Sequence, residues 1–190
     1  AAYKELLTKC EGENVKWIQF DEPALVWDMT TEDIEVFKRL YNEILSARSG
    51  SRVLLETYFG DVRDVYKELA VLPFDGIGLD FIEGKQNSLL IEKYGFPKDK
   101  LLFAGLVNGK NIWKNHYVRT LEVLDELKKN GINTVLSTSC SLLHVPYTLA
   151  HEKKLSEEFL TYFAFAEEKL IELSELKQLS EFHIKVNNFS

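Results

Sequence analysis

The amino-acid sequence predicts an α/β fold built on a parallel sheet, and three observations carry that prediction. Short apolar runs rich in β-branched and aromatic residues alternate with longer amphipathic stretches. The runs are almost continuously apolar, as expected of strands covered on both faces. No G-x-G-x-x-G turn follows any of them, which removes the main sequence support for a dinucleotide-binding sheet. Two architectures fit five such units: a doubly wound sheet, or a (βα)8 barrel truncated to about five βα units. In the barrel reading three further strands lie ahead of Ala1.

Taken in order, Tyr3, Leu6 and Leu7 carry helical spacing from almost the first residue. The chain is therefore expected to begin inside a helix and to belong to a longer protein. Strands are expected at Val15–Phe20, Val53–Thr57, Gly76–Asp80, Leu101–Leu106 and Thr134–Ser137. The clearest helix lies between the first two: Thr30 offers an N-cap and Asp33 a first-turn acid, Ile34, Phe37, Tyr41 and Ile44 share a face, and Gly50 lies beyond its end. Asp61–Leu72 stops at Pro73, and Lys85–Tyr94 stops at Gly95 with Pro97 beyond. In Asn115–Asn130 the stripe is Tyr117, Leu121, Leu124 and Leu127, closed by Gly131. A last long helix is expected from about Ser156 to Leu176, with Phe159, Phe163, Ala166, Leu170 and Leu173 packed against the sheet.

Composition excludes several classes. With 190 residues, 45% of them hydrophobic, the chain can bury the core of one domain, 1–190, with 177–190 as a carboxyl-terminal extension. A net charge of -7 argues against a phosphate-binding surface and hence against nucleic acid. No apolar run approaches the roughly 20 residues that cross a bilayer, and the start lacks a signal-peptide core. A soluble, cytoplasmic protein is expected. Without an export signal, Cys10 and Cys140 are expected to be free thiols.

Barrel active sites gather residues from the carboxyl ends of several strands. Here those ends carry Asp21 and Glu22, Glu56, Asp80, Asn108, and the Ser139–Cys140–Ser141 turn. Glu22 with Glu56 or Asp80 would suit a glycosidase-like hydrolase, although such carboxylates also cap helices. Cys140 and His144 suggest a nucleophile or a metal site. Zinc needs three or four protein ligands, and no H-x-C, C-x-x-C or H-E-x-x-H pattern supplies the rest. A buried structural cysteine is the simpler reading of Cys140. Trp113 is either an anchor for its loop or a flat wall for a ligand.

Several strings, in this order, resemble one family: "WIQFDEPALVWD", "LLETYFGDV", "LPFDGIGLDFIEG", "AGLVNGKNIWKN", "STSCSLLHVPYTL" and "KLSEEFLTYFAFAEEKL". They resemble the amino-terminal half of cobalamin-independent methionine synthases, from about Tyr3 to Leu176. The resemblance implies strands four to eight of a TIM-type barrel, the first of two related by duplication. It implies methyl transfer from 5-methyltetrahydropteroyltriglutamate to homocysteine, in methionine biosynthesis. It places zinc, held by His, Cys, Glu and Cys, and most of the homocysteine site in the carboxyl-terminal barrel, which would be this chain's partner. Basic folate-binding residues would lie ahead of Ala1.

By the same resemblance Asp21 stands where the second barrel's Asp holds the homocysteine amino group, and Cys140 is a relic of a zinc-ligand position. The chain is expected to hold no metal or cofactor and to be inactive alone. It would supply scaffold and a folate-side cleft, with Asp21, Glu22, Asp80, Asn108, Trp113 and His144 as cleft residues. A non-catalytic binding or assembly module, self-associating through open sheet edges, is the alternative, followed by the barrel hydrolase.

Overall fold

The computed structural model describes residues 2–187, with side chains through residue 181. Five parallel strands form one sheet in the order of the chain: β1 (Trp17–Asp21), β2 (Arg52–Glu56), β3 (Gly76–Asp80), β4 (Leu101–Val107) and β5 (Thr134–Thr138). Every strand pairs with its sequence neighbour and the order never reverses. A doubly wound sheet needs such a reversal, so that architecture is excluded for these five strands. A five-stranded parallel sheet wound in one sense is consistent with part of a barrel.

The register sorts the strand residues by period two. Val53, Leu55, Ile77, Leu79, Leu102, Ala104 and Leu106 enter the main core. They meet Leu7 of α1 (Ala2–Gly12), Phe37 and Tyr41 of α2 (Thr31–Leu45) and Leu69 of α3 (Tyr66–Val71). Leu90 of α4 (Asn87–Tyr94) and Leu124 and Leu127 of α5 (Tyr117–Lys129) complete that layer. Trp17, Gln19, Asp21, Glu56, Gly78 and Phe103 fall on the alternate positions.

That second face is concave. In a flat sheet β1 and β4 would lie about 14 Å apart, three strand spacings. Yet the rings of Trp17 and Phe103 meet edge to face at 5.7 Å between centroids. Gly76 leaves them room, since a Cβ there would come within 2.9 Å of the Phe103 ring.

Thr30 caps α2 as expected, and Asp33 does more than sit in the first turn, since the two close a capping box. The Asp33 amide donates to the Thr30 hydroxyl and the Thr30 amide to the Asp33 carboxylate. Replacing Thr30 with Ala is expected to cost about 1 kcal/mol, read as a lower midpoint in urea with an unchanged slope. Glu11 of α1 accepts from the amides of Ser49, Gly50 and Ser51 and from the Ser49 hydroxyl, and these bonds hold its pKa at about 2. This fastens the first helix to the loop that enters β2.

Several expected bounds shift. The first strand begins at Trp17 rather than Val15, because Val15–Lys16 complete the turn that leaves α1. The second spans Arg52–Glu56, and the fourth and fifth run one residue further, to Val107 and Thr138. α3 begins at Tyr66, not Asp61, because the amide of Val62 is taken by the Asn87 side chain and Arg63 turns back onto Asp61. α4 begins at Asn87 and α5 at Tyr117.

The largest correction concerns the end of the chain. The helix expected from Ser156 to Leu176 is two helices, α6 (Glu157–Leu160) and α7 (Ala166–Asn187). Ser156 caps only the first, and the segment between them is drawn against residues 112–114. Phe159 and Leu170 are exposed. α7 instead buries Lys169, Glu172, Leu176 and Ser180, a stripe of helical spacing with polar members. Their polarity is used: Lys169 donates to the Trp113 carbonyl at 3.0 Å, and Glu172 accepts from the Asn115 amide at 2.8 Å. The helix continues through residues 177–187, where an extension was expected.

Candidate functional site

The carboxyl ends of the strands open onto the concave face. A cavity of about 230 Å³ lies there, walled by Asp21 of β1, Glu56 of β2, Tyr58 beyond it, Phe103 of β4, and Ser137, Thr138, Cys140 and Ser141 of β5 and its turn. Asp21 ends its strand pointing into this space, and Gln19, two residues before it on the same face, donates to its Oδ1 at 2.7 Å. Glu22, the next residue, faces the opposite way and accepts a hydrogen bond from the Tyr41 hydroxyl of α2. The pleat thus separates the adjacent acids, and the cavity wall holds Asp21 and not Glu22.

Glu56 is the most perturbed group of the site. It is 6% exposed, and its carboxyl lies across Gly78 of the neighbouring strand, in the space a Cβ would fill. Burial, then the nearby charges of Asp21 and Asp80, push its pKa up to about 8. At neutral pH the group is mostly a neutral acid. Its carboxyl has no hydrogen-bond donor among the described residues, while its backbone carbonyl accepts from the Glu22 amide.

Asp80 is buried but fully engaged. Its Oδ1 accepts from the amides of Ile82 and Glu83 at 2.7 and 2.9 Å, and its Oδ2 from Phe59 at 3.1 Å. Burial nevertheless pushes its pKa upward against those bonds. The Phe59 bond holds that residue at φ 73°, a left-handed conformation rare for a bulky side chain. Asp80 therefore shapes two loops, with three of its roughly four acceptor sites taken by backbone amides.

The other expected site residues separate into two groups. Asn108 accepts from the amides of Lys110 and Asn111 at 2.8 and 2.9 Å, which shapes the turn after β4. With Trp113 it lines a second depression of about 530 Å³, outside the concave cavity. Trp113 is clamped: residues 112–114 exchange backbone hydrogen bonds with 162–164, and its ring lies 5.2 Å from that of Phe163. That is an anchor's geometry, although the other face of the ring is exposed.

Cys140 is buried at the cavity floor, its thiol pKa raised by burial, with the backbone of Gly109 packed against it. His144 lies on the exposed turn beyond, its ring 5.4 Å from that of Phe59. The structure thus unites Asp21, Glu56 and Cys140, and pairs His144 with an aromatic ring. Among the described residues no group of three or more His, Cys, Asp or Glu side chains is placed to hold a metal ion. Both cysteines are free thiols.

Sequence reasoning missed Tyr58 and the β5 hydroxyls of Ser137 and Thr138 as cavity walls. Period two would have placed Ser137 on the face of Phe103, because its register partner Gly105 lies two residues beyond Phe103 on β4. It also missed Lys169 and Glu172, which position the Trp113 loop from a helix far along the chain.

A parallel α/β sheet curled toward one face, with acids from adjacent strand ends gathered at its mouth, defines a class of scaffold used by many enzymes. Comparison with known proteins narrows it. Residues 1–131 match the family described as cobalamin-independent synthase, N-terminal domain, and the chain belongs to that family. It is 53% identical over 186 residues to a 5-methyltetrahydropteroyltriglutamate–homocysteine methyltransferase of Lactococcus lactis subsp. cremoris (strain SK11), covering 98% of this chain and 24% of that relative. To the protein of the same name from Campylobacter jejuni subsp. jejuni serotype O:23/36 (strain 81-176) it is 53% identical over 178 residues, 94% of this chain and 24% of the relative. The chain spans about a quarter of the length of the relatives it matches.

Proposed function

We propose that this chain forms strands four to eight of the amino-terminal TIM-type barrel of a cytoplasmic cobalamin-independent methionine synthase. That enzyme moves the methyl group of 5-methyltetrahydropteroyltriglutamate to homocysteine. The observation that carries the proposal is 53% identity sustained over 98% of the chain. The curled sheet with unpaired outer edges at β1 and β5 supports it, because three further strands between those edges would close a barrel. Its partner in this reading is the carboxyl-terminal barrel.

Zinc belongs to that partner. Here the donor set does not fit the metal: Cys140 is buried as a thiol, Asp80 is bonded to backbone amides, Asp21 takes the Gln19 side chain, and no third soft or imidazole ligand joins them among the described residues. No step of methyl transfer is assigned to the residues of this chain. Its part is to hold the cleft wall, with Asn108 fixing the loop after β4 and Trp113 and His144 presenting flat faces beside it. The hydrolase reading loses support, since Glu22 is held by Tyr41 and Asp80 by three amides.

The test is a chimera in which this chain replaces the matching quarter of the Lactococcus lactis relative. Methionine formation at a rate near that of the parent is expected, with none from the chain alone. A folded, zinc-loaded chimera that forms no methionine would overturn the assignment.

A further inference from the structure

We propose that the groove between α5 and α7 is a binding site for a small zwitterion, an α-amino acid with an apolar side chain. The groove encloses about 600 Å³ and is walled by residues 114–118 and by Ala164, Glu168, Ile171, Glu172 and Glu175. It lies in the helical layer and shares no residue with the concave cavity. Both of its walls are elements of this chain. Strands and helices that would close a barrel fall beyond α7 and ahead of α1, not between α5 and α7.

The first observation is an unanswered acceptor. Glu172 is 5% exposed and borders the groove; its Oε1 accepts from the Asn115 amide at 2.8 Å, and no donor among the described residues reaches its Oε2. The other acids of this wall are engaged. Glu168 accepts from the Thr148 hydroxyl and from the amides of Leu149 and Phe165, and Glu175 from the Tyr117 hydroxyl. A buried carboxylate oxygen left bare costs its desolvation, and an ammonium group supplies the missing donors and charge together. The last torsion of a glutamate is soft, so the carboxyl can tilt toward the opening while Oε1 keeps its amide.

The second is positive charge that faces this acid without pairing to it. Burial pushes the Glu172 pKa up, and the Asn115 amide and the charges of Lys169 and Lys114 draw it back. Lys169 is committed to the Trp113 carbonyl, whereas Lys114 borders the groove from the α5 side. His116 and the positive amino end of α5, a helix of 13 residues, lie on that side too. One wall thus offers positive charge and the other an unanswered negative one, which suits a carboxylate and an ammonium group carried on one carbon. The third is an apolar strip. Ile171 and Val118, both exposed, border the same groove with the buried Ala164, and a short aliphatic side chain would cover them.

L-Norleucine is the probe, titrated into the full chain and followed by amide chemical shifts. Saturable shifts confined to residues 114–118 and 164–175 are expected. Hexanoate, which lacks the ammonium group, and n-pentylammonium, which lacks the carboxylate, should each bind at least about tenfold more weakly, the loss of one charge-assisted hydrogen bond. Glu172→Gln keeps an acceptor for the Asn115 amide and should weaken norleucine to the level of hexanoate. Lys114→Gln should weaken it to the level of n-pentylammonium. The proposal fails if norleucine causes no saturable shift, if either single-charge analogue binds as tightly, or if folded Glu172→Gln binds as the parent does. It fails also if the shifts seen with the chain are absent from the folded chimera, because another segment of the longer protein then fills the groove. None of these readouts depends on methyl transfer, so an inactive chimera leaves this test readable.

Discussion

Glu56→Gln is expected to abolish most of the loss of stability that the chain undergoes between mildly acidic and mildly alkaline pH. The sign follows from proton binding. Glu56 ionises at about 8 in the folded state and near 4.5 when unfolded, so between those values the folded chain holds a proton that the unfolded chain releases. Its stabilising share is complete below about pH 4.5 and is lost as pH rises through about 8. The full span corresponds to about 5 kcal/mol, an order of magnitude that water entering the cavity reduces. Gln keeps the shape and cannot ionise.

The measurement is urea unfolding of parent and variant across that range. The variant should overtake the parent as pH rises. Asp80 and Glu172 are also pushed up by burial and give a slope of the same sign. They are common to both proteins, so the difference between the curves reports Glu56 together with its coupling to Asp21 and Asp80. Parallel curves for parent and variant would mean that Glu56 is ionised throughout and the cavity is wetter than its burial implies.

Gly84→Ala is expected to cost about 3 kcal/mol, at the upper end for overpacking, and to lower the thermal midpoint by roughly 6 to 12 °C. A Cβ at this position would overlap the carbonyl oxygens of Asp80 and Gly60 and the Asn87 amide. Asn87, fully buried, ties these segments together: its Nδ2 donates to the Asp80 carbonyl at 2.8 Å and its Oδ1 accepts from Val62 at 3.2 Å. Two of the three neighbours are backbone, so no side-chain rotation relieves the clash. Gly12→Ala is the control, with open space around its Cβ, and should be neutral or slightly stabilising. Equal melting of Gly84→Ala and the parent would show that the two loops move apart freely.

What was legible in the sequence follows from the range of the forces involved. β3 and the Thr30 cap were readable because period and capping chemistry act over a few residues. The strand ends were readable for the same reason, and so the acids of the mouth were named in advance. The roles of those acids were not. Glu22 and Asp21 were divided by a pleat whose last residue could not be fixed, and the protonation of Glu56 depends on a glycine of the next strand. The face of α7 was misjudged because Lys169 and Glu172 read as solvated. They are buried because the loop at 113–115 offers an unpaired carbonyl and amide, and no local pattern records that need.

The unbroken strand order has a consequence for how the molecule is made. Each new strand docks on the one synthesised just before it, so the sheet can grow by accretion as the chain emerges, without waiting for a distant segment. A partly built sheet carries two raw edges, β1 and the latest strand, and only the second grows. One contact that spans the series, the Trp17 ring meeting Phe103, can form only after β4 is made, and it draws the ribbon into its curl. Variants that weaken this contact should therefore relax the curl while leaving the pairing of neighbouring strands intact.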